Sequence, residues 1–114
     1  MVTPSKGSVV LIPFPFSDLS HSKLRPAAVL ADAGKGDWVL CQITSRQYQD
    51  PRAVVLDGAS FMRGSLQLVS YARPGKLFTA NQSLMVREVA ALKDDALRRI
   101  VDAVVKLLRE GLKP

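Results

Sequence analysis

The chain has 114 residues, the length of one domain with one modest core, and we expect a single domain over 1–114. Hydrophobic residues make up 47% of the chain and charged residues 23%, which excludes an intrinsically disordered protein. The formal net charge of +6 favours an anionic partner, with nucleic acid first and a membrane surface second.

The numbers of cysteines and histidines limit the kinds of site that the chain can form. The single cysteine, Cys41, and the single histidine, His21, exclude a disulfide framework and the common zinc sites. Pro13 and Pro15 interrupt the apolar run Val9–Phe16, which argues against a signal peptide, and no segment reaches the roughly 18 apolar residues of a membrane span. We therefore expect a cytoplasmic protein with no metal, no cofactor and no membrane partner.

Short apolar runs separated by turn signals predict a mainly β fold. The predicted strands are Val9–Pro13, Ala27–Ala31, Trp38–Thr44, Ala53–Leu56 and Leu66–Ala72, with Leu84–Leu92 as a weaker sixth whose second half also fits a helix. Gly34–Asp37 predicts a tight hairpin turn, and the sequence Arg-Pro-Gly-Lys at 73–76 predicts a type II turn. This number and spacing of strands predicts a small closed or half-closed barrel over about residues 7–92.

The end of the chain predicts one amphipathic helix over about residues 94–110. Its apolar positions recur every three or four residues and are Leu97, Ile100, Val101, Val104, Val105 and Leu108. Asp94 and Asp95 are placed to cap the helix and to favour its dipole, and Gly111 ends it. We expect the apolar stripe to pack on the barrel, which gives a mainly β fold with a C-terminal α-helix.

Two connections, Phe14–Arg25 and Ser45–Arg52, are longer than hairpins require, and loops of this kind carry function when a rigid scaffold holds them. Both are rich in side chains that bind phosphate, sugar or a base. The candidate RNA-binding residues are Ser17, Ser20, Lys23, Ser45, Arg46 and Tyr48. Taken singly, each of these side chains is also typical of an ordinary exposed loop.

The hairpin brings the two loops together. If the second and third strands are antiparallel about Gly34–Asp37, the numbers of paired residues sum to about 69–71. Arg25 then faces residue 44, 45 or 46, and Pro26 holds Arg25 in an extended conformation. We therefore predict that Arg25 and Thr44 lie side by side at one end of the hairpin.

A guanidinium beside a hydroxyl suits a phosphodiester. Cleavage of RNA by its own 2′-hydroxyl needs a base, an acid, and positive charge for the phosphorane. Arg25 supplies charge through a bidentate fork, and Thr44 can donate to a phosphate oxygen. His21 is the side chain in these loops whose ordinary pKa is near neutrality, which makes it the candidate acid or base. The plain alternatives are a surface arginine, a strand threonine and an idle loop histidine.

At these residues the sequence resembles the MazF/PemK-like toxins of bacterial type II toxin–antitoxin systems. Lys23–Leu30 looks like the R-P-x-x-V-L segment of that family, and Ile43–Ser45 looks like its I/V-T-S/T signature. Gly7–Leu11, Lys76–Thr79 and the final helix follow the family in order. The ordered set covers nearly the whole chain.

The resemblance implies an SH3-like β-barrel, a homodimer, and metal-independent cleavage of single-stranded mRNA to 2′,3′-cyclic phosphate and 5′-hydroxyl ends. It also implies a cognate antitoxin with an acidic segment in the RNA groove. The catalytic Arg and Thr of the family fall on Arg25 and Thr44.

The sequence departs from the family at several positions. Ser8 follows Gly7 where an acidic residue is usual, and Leu68 and Ser70 stand near the positions of a catalytic Arg and Asp in one branch. His21 does not align with the loop histidine of that branch without a gap. Two other functions stay open: a gyrase-poisoning toxin of the same fold, and a non-catalytic nucleic-acid-binding barrel.

Overall fold

One antiparallel sheet dominates the computed structural model, which describes residues 2–15, 22–47 and 49–112. Its strands are β1 (Ser8–Pro15), β2 (Ser22–Gly34), β3 (Asp37–Thr44), β4 (Val54–Leu56), β5 (Phe61–Gly64), β6 (Ser70–Asn81) and β7 (Arg87–Leu92). Short 3₁₀ turns at Gly58–Ser60 and Gln82–Leu84 precede β5 and β7, and the helix α1 spans Asp94–Glu110. The strand order is β4-β6-β3-β2-β1-β7-β5, with β4 and β5 at opposite edges. The predicted half-closed barrel with a C-terminal helix is confirmed.

The β2–β3 hairpin forms where the glycines predicted it. Lys35 and Gly36 occupy the turn with φ of 55° and 82°, the positive values that a two-residue type I′ turn requires. The paired residues run from Gly34↔Asp37 to Ala27↔Gln42, so their sums lie between 71 and 69. The predicted register of this hairpin is confirmed.

The segment before and inside β6 differs from the prediction. β6 begins at Ser70, so Leu66–Val69 is a connection and not the first half of a strand. The predicted type II turn at 73–76 is wrong, because Gly75 lacks the positive φ of such a turn and all four residues lie within β6. They form a bulge instead, since Ala72 pairs with Ile43 and Leu77 with Cys41. Pro74 is buried there, where the missing N–H costs no ladder bond.

Two further strands complete the sheet: β5, which was missed, and β7, which lies within the weaker sixth strand that was predicted. β5 was not predicted, because a four-residue strand that carries exposed Met62 and Arg63 has no apolar run to reveal it. Of the weak segment Leu84–Leu92, residues 87–92 form β7, and the alternative helix in its second half is wrong. Pairing with both β1 and β5 makes β7 an interior strand, which fixes its extended conformation.

The core has two parts, one on each face of the curled sheet. The first lies under α1 and includes Val9, Leu30, Ile43 and Leu56, with Cys41 fully buried among them. The second lies on the other face and comprises Val10, Ile12, Ala27, Val29, Leu40, Ala80 and Met85. Burial on both faces keeps the central strands β1, β2 and β3 rigid, and these strands carry the predicted site.

The helix packs only part of its predicted stripe. Ile100 and Val104 are buried with Ala96, whereas Val101, Val105 and Leu108 remain exposed. The sheet covers one sector of the helix and leaves the neighbouring sector open. Asp94 and Asp95 lie in the first turn, as the dipole favours, but the predicted cap is wrong because the N-cap is Lys93 without a side-chain cap bond.

Candidate functional site

A cavity of about 230 Å³ lies where the hairpin ends and meets the connection between β5 and β6. Its lining residues are Leu11, Arg25, Pro26, Ile43, Thr44, Ser45, Leu66, Gln67, Leu68 and Ser70. Arg25 and Thr44, which the hairpin register predicted to be neighbours, therefore line one cavity. We call it the Arg25 cavity.

Arg25 is placed by two strands. It lies in β2 opposite Ile12 of β1. The pairing of β2 with β3 ends at Ala27↔Gln42, two residues from Arg25. The side chain is half-buried and its Nε atom is enclosed by protein, so it is not the fully exposed surface arginine of the plain alternative. A guanidinium held in this way has fewer side-chain conformations to lose when it binds a phosphate.

Thr44 ends β3 as a buried residue with a defined hydrogen bond. Its Oγ1 accepts the backbone N–H of Arg46 at 3.1 Å, which fixes the hydroxyl at the point where the strand becomes a loop. This bond uses the oxygen as an acceptor, so the hydroxyl proton can be donated to a phosphate oxygen. Thr44 therefore connects the end of β3 to the first residues of the loop through its side chain.

Three of the predicted RNA-binding residues lie within two positions of Arg25 or Thr44 in the chain. Ser45 lines the cavity and is exposed. Arg46 is exposed in the loop that follows Thr44. Lys23 is exposed two residues before Arg25 and therefore on the same face of β2. Three cations, Lys23, Arg25 and Arg46, therefore lie at this end of the hairpin.

The remaining predicted residues lie outside the described part of the chain. They are Ser17, Ser20, His21 and Tyr48. Their roles stay predictions from the sequence.

The second wall of the cavity was not predicted as part of the site, although the sequence placed Leu68 and Ser70 near two catalytic positions of one branch of the family. Leu66, Gln67 and Leu68 belong to the connection that precedes β6, and Ser70 is the first residue of that strand. The buried hydroxyl of Ser70 donates to the carbonyl oxygen of Leu68 at 2.9 Å. In the sequence, Leu66, Gln67 and Leu68 alternate apolar and polar side chains, which is also the pattern of a strand with one face on the core. This pattern therefore predicts a strand where the structure has a loop.

A larger polar cavity of about 370 Å³ lies near the end of α1, and residues of its lining take part in two ion pairs. Arg73 donates to Asp50 through Nε at 3.3 Å, and Arg52 pairs with Glu110. These bonds attach the β3–β4 loop to β6 and to the helix.

Within the described residues there is no group of three or more His, Cys, Asp or Glu placed to hold a metal ion. The described part of the chain also lacks a helix that is long and apolar enough to cross a membrane.

Solved structures share this architecture. A chain of the MazE–MazF complex from Deinococcus radiodurans, in crystal form II, is 21% identical and aligns over 96% of this chain and 99% of its own, with a TM-score of 0.74. A mycobacterial endoribonuclease in complex with its cognate antitoxin is 16% identical over 95% of both chains, with a TM-score of 0.69. The chain has the MazF fold.

The Mycobacterium tuberculosis toxin MazF-mt6 also has this fold, at 14% identity over 89% of this chain and 95% of its own and a TM-score of 0.69. No protein-family model and no curated protein matches the sequence. The MazF fold predicted from ordered short motifs is therefore confirmed by structure, and the activity has to be argued from the residues of the site.

Proposed function

We propose that this protein is the toxin of a type II toxin–antitoxin system and acts as an endoribonuclease on single-stranded mRNA. The observation that carries the proposal is the cavity shared by Arg25 and Thr44, a guanidinium beside a fixed hydroxyl. The MazF fold supports it, because structural neighbours with that fold are described as an endoribonuclease and as toxins. The surplus of six positive charges suits a polyanionic substrate.

The proposed reaction is an internal transfer at phosphorus. The 2′-oxygen of a ribose attacks the adjacent phosphorus and loses its proton, while the bond from phosphorus to the 5′-oxygen breaks and that oxygen gains a proton. The products are a 2′,3′-cyclic phosphate and a 5′-hydroxyl. Arg25 stabilises the charge that develops on the non-bridging oxygens, and Thr44 donates a hydrogen bond to one of them. His21 is the candidate for one of the two proton transfers.

The dimensions of the cavity favour a polymer over a small metabolite. Pockets that enclose a small molecule measure about 300–1,000 Å³. The Arg25 cavity, at about 230 Å³, is smaller and open, so it suits one phosphate and part of a nucleotide within a longer strand. The exposed Lys23 and Arg46 beside it can contact the neighbouring phosphates of that strand.

The deciding test uses purified protein and a long single-stranded RNA in the presence of EDTA. We expect discrete cuts with 2′,3′-cyclic phosphate ends, and loss of cleavage in Arg25→Ala. Salt-dependent RNA binding without cleavage would instead favour the non-catalytic barrel. Cleavage that requires an added metal ion would contradict the metal-independent mechanism.

We also propose a homodimer and an antitoxin with an acidic segment that covers the basic site. The MazE–MazF complexes of the same fold support an antitoxin partner. Open edges at β4 and β5 support self-association, because edge strands need to be covered. Light scattering of the purified protein should give the mass of two chains, and the mass of one chain would contradict the dimer.

A further inference from the structure

Leu68 is an apolar side chain exposed to solvent at the rim of the Arg25 cavity. It is 65% exposed and its neighbour Val69 is 52% exposed. Single exposed apolar residues are common on protein surfaces, so exposure alone carries no meaning. The location of Leu68 is informative, because this residue lines the same cavity as Arg25 and Thr44.

The connection that carries Leu68 is fixed at both ends. At its start, Gly64 has φ of 64° and lies so close to β7 that a Cβ atom would be 2.4 Å from the carbonyl oxygen of Val89. At its end, the Ser70 hydroxyl donates to the carbonyl oxygen of Leu68. Leu68 is therefore presented on a short segment attached to the sheet, and a ligand that packs on it pays little ordering cost.

Gln67 adds a polar group to the same wall. It is exposed, and it lines the cavity next to Leu68. Its carboxamide can donate and accept hydrogen bonds at once, as the edge of a nucleobase requires. One wall of the cavity thus offers a cation and a hydroxyl, and the other offers an apolar surface with an amide.

We propose that Gln67 and Leu68 form the base-selecting wall of the site. When Arg25 holds the scissile phosphate, the base of an adjoining nucleotide packs on Leu68 and its edge bonds to Gln67. Bases of single-stranded RNA can be splayed out of their stack and held against apolar side chains in this way. The proposal rests on the ribonuclease function and adds the residues that choose where the strand is cut.

The test compares cleavage of a random-sequence single-stranded RNA pool by the wild-type full-length chain and by Leu68→Ser, with sequencing of the new 5′ ends. We expect the variant to lose base preference at one position beside the cut and to cleave the preferred sequence about tenfold more slowly. Leu84→Ser is the matched control, since Leu84 is 53% exposed and lies outside the Arg25 cavity. Its preference and rate should remain those of the wild type.

Gln67→Leu provides a second, independent variant on an exposed position. It should change which base is preferred at that position while cleavage of the pool continues. Unchanged preference in both variants, or an equal slowing of all sequences, would overturn the base-selecting wall. Absence of cleavage by the wild type would instead overturn the ribonuclease function and the wall with it, so the two failures are distinguishable.

Discussion

The two walls of the Arg25 cavity are built in different ways. The β2–β3 wall is a hairpin closed by a type I′ turn, with two small register shifts in its ladder, and it carries Arg25 and Thr44. The opposite wall is an irregular connection fixed by one glycine and one serine hydroxyl, and it carries Gln67 and Leu68. The ladder supplies fixed chemical groups, and the connection supplies a surface whose side chains can vary without disturbing the sheet. Substitutions on either wall test this difference.

Arg25→Ala should have the largest effect, on the hairpin wall. We expect cleavage to slow by about 100- to 1,000-fold, which corresponds to about 2.7–4 kcal/mol of lost transition-state stabilisation. The measurement is the single-turnover rate on a preferred RNA, with the thermal midpoint recorded beside it. Arg87→Ala, at an exposed arginine of β7, is the control and should cleave normally. A near-normal rate for Arg25→Ala would remove this residue from the mechanism.

Gly64→Ala tests the connection wall through stability. The added Cβ would meet the Val89 carbonyl oxygen at 2.4 Å, and the φ of 64° is unfavourable for alanine. We expect the free energy of unfolding in urea to fall by about 1–3 kcal/mol. Gly58→Ala is the matched control, because a Cβ there meets no atom within 4 Å. Equal stability of the two variants would mean that the backbone of the connection is not fixed in the way described.

Thr44→Val should have a smaller effect than Arg25→Ala, because it keeps the shape of the side chain and removes from the reaction only the hydrogen bond that Thr44 donates, together with the bond that its Oγ1 accepts from the Arg46 N–H. We expect cleavage to slow by about tenfold, at the upper end of the roughly 0.5–1.5 kcal/mol that one bond contributes. Thr44→Ser retains the hydroxyl and should recover most of the rate. If Val and Ser behave alike, the hydroxyl has no part in the reaction.

Cys41 tests the support beneath the hairpin wall through the pH dependence of stability. Its Sγ donates to the Arg73 carbonyl oxygen at 3.1 Å, and burial raises the pKa of the thiol from 9.0 to about 12. Below pH 9 the thiol is protonated in both the folded and the unfolded chain, and its contribution to the free energy of unfolding is fully present. Between pH 9 and 12 the unfolded chain loses the proton and the folded chain keeps it, so stability falls as pH rises.

The measurement is the free energy of unfolding in urea at pH 8 and pH 10.5, for the wild type and Cys41→Ala. The wild type should lose more stability between the two pH values than the variant does. An equal loss in both proteins would show that other groups account for the alkaline destabilisation.

The sequence by itself determined the hairpin and what the hairpin carries. Gly36 and the apolar runs on both sides of it set a local turn and the register of the two strands. Because the numbers of paired residues have a nearly constant sum, this register places Arg25 near Thr44 whatever the other strands do. The MazF fold was likewise readable from ordered motifs, and the helix Asp94–Glu110 from its period. The hairpin and the helix depend on residues close together in the chain, and the fold was readable because short local motifs follow one another in a known order.

Only the tertiary structure decided the rest. Leu66–Val69 has the pattern of a strand, but it pairs with no strand of the described sheet and is a connection. Arg73–Lys76 has the pattern of a turn, but it lies within β6 because the residues on both sides of it pair with β3. The exposure of Leu68, and of Val101 and Val105 on the helix, depends on how much of each surface the sheet covers. Hydrogen-bond pairing and burial between distant segments outweigh local preference at these positions, because the free energy of a ladder or a core contact exceeds that of a local propensity.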